Sequence, residues 1–356
     1  MHSHGPVSAF SNGIVELQTD EGISGYGEID LLNGVTTETL TTIKEIVERY
    51  LAPVVVGKDP LDIERICDDM DQRLKGNYVA KAGIDNALWD LAGKYLKQPA
   101  FKLMGGRYSD KIEVDYTLSM DVPEKMAMMA RKMVGYGYKT LVVKVGINSE
   151  LDVARLRAVR EEVGDGIKLR LDVNEAYTVD KAISMIRRFE RYDPELVEQP
   201  LPRWDVKGMA RVARAVDTPI SADEGNSSPQ MAFTLVEQGA VDVLNIKPPY
   251  HGGLWNAKKV AAIAAATGTP VIVGGMTHFE VGRQANRHFA ISSRITFSGY
   301  AHEGPGPASQ SLTDNVTKRV VTYDDVKRWG GYVHVSDEAG LGFEIDESKL
   351  RRYAIV

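Results

Sequence analysis

The sequence predicts an α/β fold in which parallel strands and helices alternate to form a barrel, preceded by a smaller α+β module. Short β-branched runs alternate with segments of helical periodicity about every 25 to 30 residues, which is typical of βα units. A charged residue closes or follows five successive runs. These residues are Lys144, Asp172, Glu198, Asp223 and Lys247. Because the carboxyl ends of parallel strands meet at one rim of a barrel, we expect the five side chains to converge there.

Composition excludes several classes of protein. The chain has 356 residues, of which 43% are hydrophobic and 26% charged, and this suits a globular protein of two domains or of one large domain with additions. A net charge of −6, with scattered Lys and Arg, disfavours nucleic acid as a partner. Cys67 is the single cysteine, and no apolar run is long enough to span a membrane. We therefore expect a cytoplasmic protein with no membrane partner.

Residues 1–105 are predicted to form the α+β module. Residues 14–19 and 23–28 alternate in hydrophobicity on either side of a turn at Asp20-Glu21-Gly22, which predicts a β-hairpin. Helical patterns follow at about 37–51, 60–74 and 80–96. The segment 98–107 is rich in Gly and Pro and is expected to connect this module to the barrel.

Residues 106–330 are predicted to form the barrel, and residues 331–356 a tail that returns to the first module. Eight barrel strands are predicted, and they lie at 112–118, 140–145, 167–173, 196–198, 219–223, 243–246, 270–273 and 294–297. Helices between them include 123–133, 206–216, 228–238 and 254–266. Two further strands are expected in the tail, at 332–335 and 342–345.

The three acidic residues at this rim indicate a metal site. Carboxylates brought close together repel one another, and a hard divalent cation relieves that repulsion. Oxygen-only ligands favour Mg²⁺ over zinc or copper. When a proton leaves the carbon beside a carboxylate, a bound Mg²⁺ stabilises the charge that flows onto the oxygens.

Lys144 and Lys247 lie on the strands before and after the acidic strands, so that each can approach one face of a bound substrate. To act as a base near neutrality, a lysine needs its pKa lowered by roughly 3 units, and burial and a nearby cation both act in that direction. Any one of these residues alone is more often a helix cap or a solvated side chain. Five at equivalent positions favour an active site.

Several motifs together carry a family resemblance. In the combination of these motifs the chain resembles the enolase superfamily, and within it the muconate lactonizing enzyme subgroup. The motifs are Gly25-Tyr26-Gly27-Glu28, residues 81–90 (KAGIDNALWD), Leu103-Met104-Gly105-Gly106, Asp172-Val173-Asn174, Glu198-Gln199-Pro200, Asp223-Glu224, and Lys247 ahead of Gly252-Gly253. The third acidic residue is Asp, and no His-Asp dyad is evident, which favours this subgroup over the mandelate racemase subgroup.

The resemblance implies an α+β capping domain and a modified (β/α)₇β barrel. It also implies Mg²⁺ ligation by the three strand-end carboxylates and general acid/base roles for Lys144 and Lys247. Asn174 and Glu224 would be supporting polar neighbours, and Glu303 would hydrogen-bond the substrate from the last strand.

Three departures from the family pattern stand out. Relatives usually carry Lys-x-Lys on the second barrel strand, and here Val142 replaces the first lysine, so that Lys144 is expected to be the poorer base. His278 stands where relatives often have Glu, and it is either a buried structural histidine or a substrate contact. The chain also begins late, so a first cap strand is expected to be short or absent.

The expected function is that of a Mg²⁺-dependent racemase, epimerase or cycloisomerase that acts on a small carboxylate substrate. Cap loops at 2–8 and 29–35 would close over that substrate. One alternative is a dehydratase of a hydroxy acid or a hydroxyproline-type substrate, through the same enolate. A second alternative is a non-catalytic binding module. A homo-oligomer is expected, as barrels of this kind often associate.

Overall fold

The structure, a computed structural model, describes residues 11–32, 35–295, 297 and 315–354. The predicted hairpin is confirmed: strands β1 (Gly13–Gln18) and β2 (Ser24–Ile29) pair antiparallel, with Val15 opposite Gly27. The Thr19 amide donates to the Ile23 carbonyl at 3.0 Å and closes the turn. The N-terminal loop predicted at 2–8 lies outside the described residues, as does most of the segment in which a first cap strand would fall.

The helices of the first module follow the hairpin, as predicted. They are α1 (Leu40–Glu45), α2 (Ala52–Val55), α3 (Ile63–Arg73), α4 (Tyr78–Tyr95) and α5 (Ala100–Leu103), with π-helical turns at Ile46–Leu51 between the first two. Helix α4 is buried along almost its whole length. It contacts the hairpin and also the barrel, and a helix enclosed in this way is apolar on most of its faces.

The barrel wall is a curled parallel sheet. Among the described residues it has seven strands, which neighbour one another in chain order from β4 to β10. Its strands are β4 (Asp115–Leu118), β5 (Thr140–Lys144), β6 (Lys168–Asp172), β7 (Pro194–Glu198), β8 (Ile220–Ala222), β9 (Val243–Ile246) and β10 (Val271–Val273). The short β3 (Ile112–Glu113), which precedes β4, is not part of this sheet. Parallel pairing in sequence order is what repeated βα units produce.

Helices alternate with these strands. They are α6 (Pro123–Gly135), α7 (Ser149–Val163), α8 (Val179–Phe189), α9 (Val206–Ala213), α10 (Pro229–Glu237), α11 (Pro248–His251), α12 (Leu254–Thr267) and α13 (Glu280–Ile291). The C-terminal segment adds α14 (Tyr323–Arg328), β11 (Tyr332–Val333) and α15 (Glu347–Tyr353). Among the described residues, no helix combines the length and the hydrophobicity needed to cross a bilayer.

Two strand predictions differ from the structure, and a third falls partly on residues that the structure does not describe. The strand predicted at 112–118 is split, because β3 pairs antiparallel with β11 while β4 pairs with β5. The strand predicted at 342–345 is reduced to a single bridge between Thr317 and Ile345. The eighth barrel strand, at 294–297, lies partly outside the described residues, although the Phe297 amide donates to the Val271 carbonyl at 3.3 Å.

The C-terminal segment also contacts the first module. The Leu341 amide donates to Asp90 on α4 at 2.8 Å. Gly340 exchanges backbone hydrogen bonds with Gln98 and Ala100, at 3.0 and 2.8 Å. These contacts complete the packing around the end of α4.

The interior of the barrel below the rim is filled by side chains. Leu196, Val243 and Ile272 pack together there. The guanidinium of Arg170 is also buried; it lies 5.7 Å from the ring centroid of Phe297 and donates to Glu195 at 2.8 Å. Val142 lies beside Arg170 in the strand register. The position where relatives often have lysine is therefore one layer below the rim and next to an existing cation.

Asp85 joins the first module to the barrel. Its buried carboxylate accepts hydrogen bonds from the backbone amides of Leu254 and Trp255, at the start of α12, at 2.5 and 3.4 Å. Cys67 donates its thiol to the other carboxylate oxygen at 3.3 Å. Burial outweighs these hydrogen bonds and raises the pKa of Asp85 from 3.8 to about 7.

This raised pKa predicts a pH-dependent contribution to stability. Between about pH 4 and pH 7 the folded protein holds a proton on Asp85 that the unfolded chain has lost, so stability falls as the pH rises. Relative to an Asp85→Asn variant, the free energy of unfolding of the wild type should fall by up to about 4 kcal/mol across this window. Urea unfolding of both proteins at a series of pH values measures the difference. A difference that stays constant from pH 4 to pH 7 would contradict the prediction.

Candidate active site

The five predicted rim residues lie at neighbouring strand ends. Lys144, Asp172 and Glu198 are the last residues of β5, β6 and β7, and they are in register with one another. Asp223 and Lys247 directly follow β8 and β9. All five side chains are buried. The structure therefore brings the five together on one rim.

Lys144 is bound to its neighbour on β6. Its ammonium group donates to Asp172 in a close ion pair and to Asn174 Oδ1 at 2.8 Å. The Asn174 amide group in turn donates to Glu224 Oε1 at 3.0 Å. Asn174 and Glu224, predicted as supporting neighbours, thus link the Lys144 side of the site to the loop after β8.

Lys247 mirrors this arrangement on the other side. Its ammonium group donates to Asp223 Oδ2 at 2.5 Å. Gly274, which follows β10, leaves room for the side chain, because a Cβ atom there would lie 2.6 Å from Lys247 Cε. Lys247 thus packs beside the end of β10 while its ammonium group reaches the carboxylate that follows β8 on the other side.

Glu198 lies between the two ion pairs. Its Oε1 accepts a hydrogen bond from Asn245 Nδ2 at 3.2 Å. Asn245 is two residues before Lys247, so that the two side chains share one face of the strand. Sequence reasoning missed Asn245, and this two-residue spacing is the signal that could have found it.

Gln199 shapes the rim, although sequence reasoning treated it only as part of a motif. Its side-chain oxygen accepts hydrogen bonds from the backbone amides of Asp223 and Gly225, both at 3.0 Å. Gln199 and Asn174 both have left-handed backbone conformations, with φ values of 39° and 45°. Such conformations cost energy and are common at functional sites. They turn the chain sharply just after the strands that carry Glu198 and Asp172.

The charges of the site perturb one another. Burial, together with the charges of Asp172 and Asp223, raises the pKa of Glu198 well above its usual value. The same causes raise the pKa of Glu224 to about 8. Burial also acts on Asp172, but the charges of Lys144 and Lys247, with the hydrogen bonds from Lys144 and Asn174, together outweigh it and lower the pKa of that carboxyl group. The carboxylates are thus close enough to repel one another strongly.

The pKa of Lys247 departs from the expectation. Burial lowers it, but the negative charges around it, that of Asp223 first, together outweigh burial and raise the pKa well above its usual value. The expected depression needs these anions to be neutralised, and a divalent cation among them has that effect.

Tyr250 and Arg203 also lie close to the site and were not predicted. The ring centroid of Tyr250 is 5.2 Å from Lys247 Nζ. Arg203 donates to Glu175 Oε2 at 2.7 Å and reaches the Val35 carbonyl of the cap loop at 3.4 Å. The signal for Arg203 and Glu175 is their position in the loops after two of the acidic strands.

His278 is enclosed by the protein. Its Nδ1 forms a close pair with Asp30 of the first module, and its Nε2 accepts a hydrogen bond from the Met276 amide at 2.9 Å. Both ring nitrogens are therefore engaged by protein groups, one in the cap and one in the barrel, which favours the structural interpretation over a substrate contact. Glu303, the predicted carboxylate on the last strand, lies outside the described residues.

The donor set suits a hard divalent cation, since three carboxylates supply only oxygen. Asp223 Oδ1 is buried and has no hydrogen-bond partner among the described residues, so it can accept a ligand. Within those residues, however, no three acidic, His or Cys side chains are already gathered around a common point. Asp172 and Asp223 are instead turned toward Lys144 and Lys247, and each pairs with its lysine through one carboxylate oxygen.

Comparison with known proteins agrees with this geometry. Residues 125–349 match the family described as "Enolase C-terminal domain-like". Residues 2–105 match "Mandelate racemase / muconate lactonizing enzyme, N-terminal domain". The match thus extends over both the cap and the barrel.

Individual relatives are similar over nearly their whole length. An N-succinyl-L-Arg/Lys racemase from Bacillus cereus is 35% identical over 99% of this chain and 93% of its own. A chloromuconate cycloisomerase from Pseudomonas putida is 33% identical over 98% of this chain and 92% of its own. The crystal structure of a dipeptide epimerase from Enterococcus faecalis, complexed with Mg and the dipeptide L-Leu-L-Tyr, matches with a TM-score of 0.89 and 34% identity, over 96% of this chain and 94% of that one.

The fold and the rim define an α/β-barrel enzyme with a capping domain. The chain belongs to the enolase superfamily, in its muconate lactonizing enzyme-like subgroup, and is an isomerase of that superfamily. Membership implies a divalent metal.

The carboxylate repulsion predicts how the protein responds to Mg²⁺. Added Mg²⁺ should raise the thermal unfolding midpoint of the wild type, and at 100 times the dissociation constant the gain is about 2.7 kcal/mol. In a Glu198→Gln variant this rise should be largely lost. Without Mg²⁺ the variant should be at least as stable as the wild type, since a neutral amide removes the repulsion. Differential scanning fluorimetry measures both effects.

The control for this measurement is Glu237→Gln, at an exposed position on α10. It should retain the full response to Mg²⁺. An equal response in the Glu198→Gln variant would show that these carboxylates do not hold the ion.

Proposed function

We propose that the protein is a Mg²⁺-dependent racemase or epimerase, which removes the proton α to the carboxylate of a small substrate and returns a proton to the same carbon. The observation that carries this proposal is the placement of two buried amines on opposite sides of the carboxylates. Lys144 ends β5 and Lys247 follows β9, while β6, β7 and β8 lie between them in the sheet. Inversion at carbon needs one group to remove a proton from one face and another to deliver a proton to the opposite face.

Asp172, Glu198 and Asp223 would hold the Mg²⁺, which would stabilise the negative charge that develops on the substrate carboxylate as the proton leaves. The chain's own residues supply the rest. Asn174 fixes the direction of the Lys144 ammonium group through its 2.8 Å hydrogen bond. Gly274 leaves the space that Lys247 needs. Each lysine therefore approaches the site from its own strand with a defined orientation.

Apolar residues of the cap loop, Leu32 and Val35, would help to exclude water from the site. Leu32 of the first module packs with Tyr250 and Met276 of the barrel, and Val35 packs against them. Tyr250 is next to Lys247, so this apolar cluster borders one of the two proton-transfer groups. A dry environment strengthens the electrostatic interactions on which such proton transfers depend.

The names of two relatives, a racemase of N-succinyl amino acids and a dipeptide epimerase, point to a substrate class. In both, the α-carbon carries an acylated nitrogen or an amide. We therefore propose N-acyl amino acids and dipeptides as the substrate class.

The experiment that tests this function follows the α-proton by NMR in D₂O with Mg²⁺. The panel holds both antipodes of N-succinyl amino acids, together with dipeptides, hydroxy acids and hydroxyprolines. We expect exchange and inversion with at least one N-acyl amino acid or dipeptide. Loss of water, seen by mass spectrometry, would establish the dehydratase instead. No exchange with any compound would contradict the proposed function.

Two variants test the roles of the lysines. Lys144→Ala and Lys247→Ala should each slow α-proton exchange of one antipode by about 10²- to 10⁴-fold, because general base catalysis is lost on one face. The antipode affected should differ between the two variants. Equal loss for both antipodes in each variant would contradict the two-sided arrangement.

A further inference from the structure

Helix α12 receives its N-terminal cap from the other module. Three other barrel helices are capped by the residue directly before them: α7 by Asn148, α9 by Asp205 and α10 by Ser228. The residue before α12 is Gly253, which has no side chain to offer. The carboxylate of Asp85, on α4 of the first module, instead accepts the first amide of the helix at 2.5 Å.

The approach of Asp85 depends on that glycine. A Cβ atom at position 253 would lie 2.3 Å from Asp85 Oδ2, and the φ angle of +120° is one that residues other than glycine rarely adopt. On the opposite side, Cys67 donates to Asp85 Oδ1 at 3.3 Å and holds the carboxylate in place. The start of α12 is thus locked to the first module.

A short hydrogen-bonded segment connects the capped start of α12 to Lys247. The Tyr250 amide donates to the Lys247 carbonyl, and the Gly253 amide donates to the Pro248 carbonyl, both at 2.9 Å. These bonds form the single turn of α11. Residues 247–253 therefore form a compact hydrogen-bonded unit between Lys247 and the cap on α12.

The segment that follows Lys144 is held differently. The Gly146 amide donates to Asp152 Oδ2 at 3.0 Å, and Arg155 donates to the same carboxylate from within α7. These partners belong to the barrel itself. The two lysines thus differ in what positions them.

We propose that Asp85 is a positioning residue for Lys247: by capping α12 from the first module it holds the 247–253 segment in place, and so supports proton transfer on the Lys247 face but not on the Lys144 face. The proposal rests on the proposed function. It makes the docking of the cap a requirement for one of the two proton transfers.

The test compares Asp85→Ala and Asp85→Asn with the wild type. The substrate is the pair of antipodes in the NMR panel whose α-protons exchange fastest. For the antipode whose exchange is lost in Lys247→Ala, kcat should fall by about 10- to 100-fold in Asp85→Ala, because misplacement by about 1 Å costs about that much. Exchange of the other antipode should change less than about twofold. Asp85→Asn keeps one acceptor oxygen and should show a smaller loss with the same asymmetry.

The matched control is Asp90→Asn. Asp90 is buried on the same helix, but it accepts hydrogen bonds from Leu341 and Tyr26 rather than from the barrel rim. This variant should affect both antipodes equally. An equal loss for both antipodes in the Asp85 variants, or no loss in a folded Asp85→Ala protein, would overturn the proposal.

A second measurement does not depend on turnover. Hydrogen–deuterium exchange mass spectrometry of Asp85→Asn should show faster amide exchange in residues 247–257 and unchanged exchange in residues 140–152. Unchanged exchange in both segments would overturn the proposal. If the wild type exchanges neither antipode, the proposed function fails, and the amide exchange still reports whether Asp85 anchors this segment.

Discussion

Mutual repulsion among buried carboxylates is the constraint on which this site depends. Four buried carboxyl groups lie close together here, those of Asp172, Glu198, Asp223 and Glu224. The ammonium groups of Lys144 and Lys247 neutralise only part of their negative charge. Glu198 and Glu224 respond with raised pKa values. Such a cluster is costly unless cations neutralise it. A divalent ion among these carboxylates would relieve that cost.

The same constraint shows how far the sequence could predict the site. The spacing of charges along the βα repeat identified the rim residues, because strand ends in a parallel sheet must be neighbours. The direction in which Asp172 and Asp223 point could not be predicted. It depends on which cation, a lysine or a metal ion, each carboxylate pairs with in the folded protein. The pKa of Lys247 was expected to fall because of burial and a nearby cation. In the structure it rises, because the neighbouring carboxylates face the ammonium group.

Most elements of the fold were likewise predictable, because they follow local patterns. The hairpin, α4 and the strand order from β4 to β10 belong to this group. The split of the strand at 112–118 was not predictable, because β3 pairs with β11, which lies far along the chain. Asp85 illustrates the same limit. An acidic residue in the middle of a helix carries no local sign that it caps another helix about 170 residues later.

The contacts of the C-terminal segment also bear on how the protein is made. The first module is synthesised first, yet α4 acquires its partner at Leu341 and β3 its partner at β11 only when the end of the chain emerges. Contacts between residues so distant in sequence form slowly, since a long loop must close first. During translation the part of the N-terminal module that packs on the C-terminal segment therefore stays uncovered until that segment is made, and apolar surface left uncovered in this way favours aggregation.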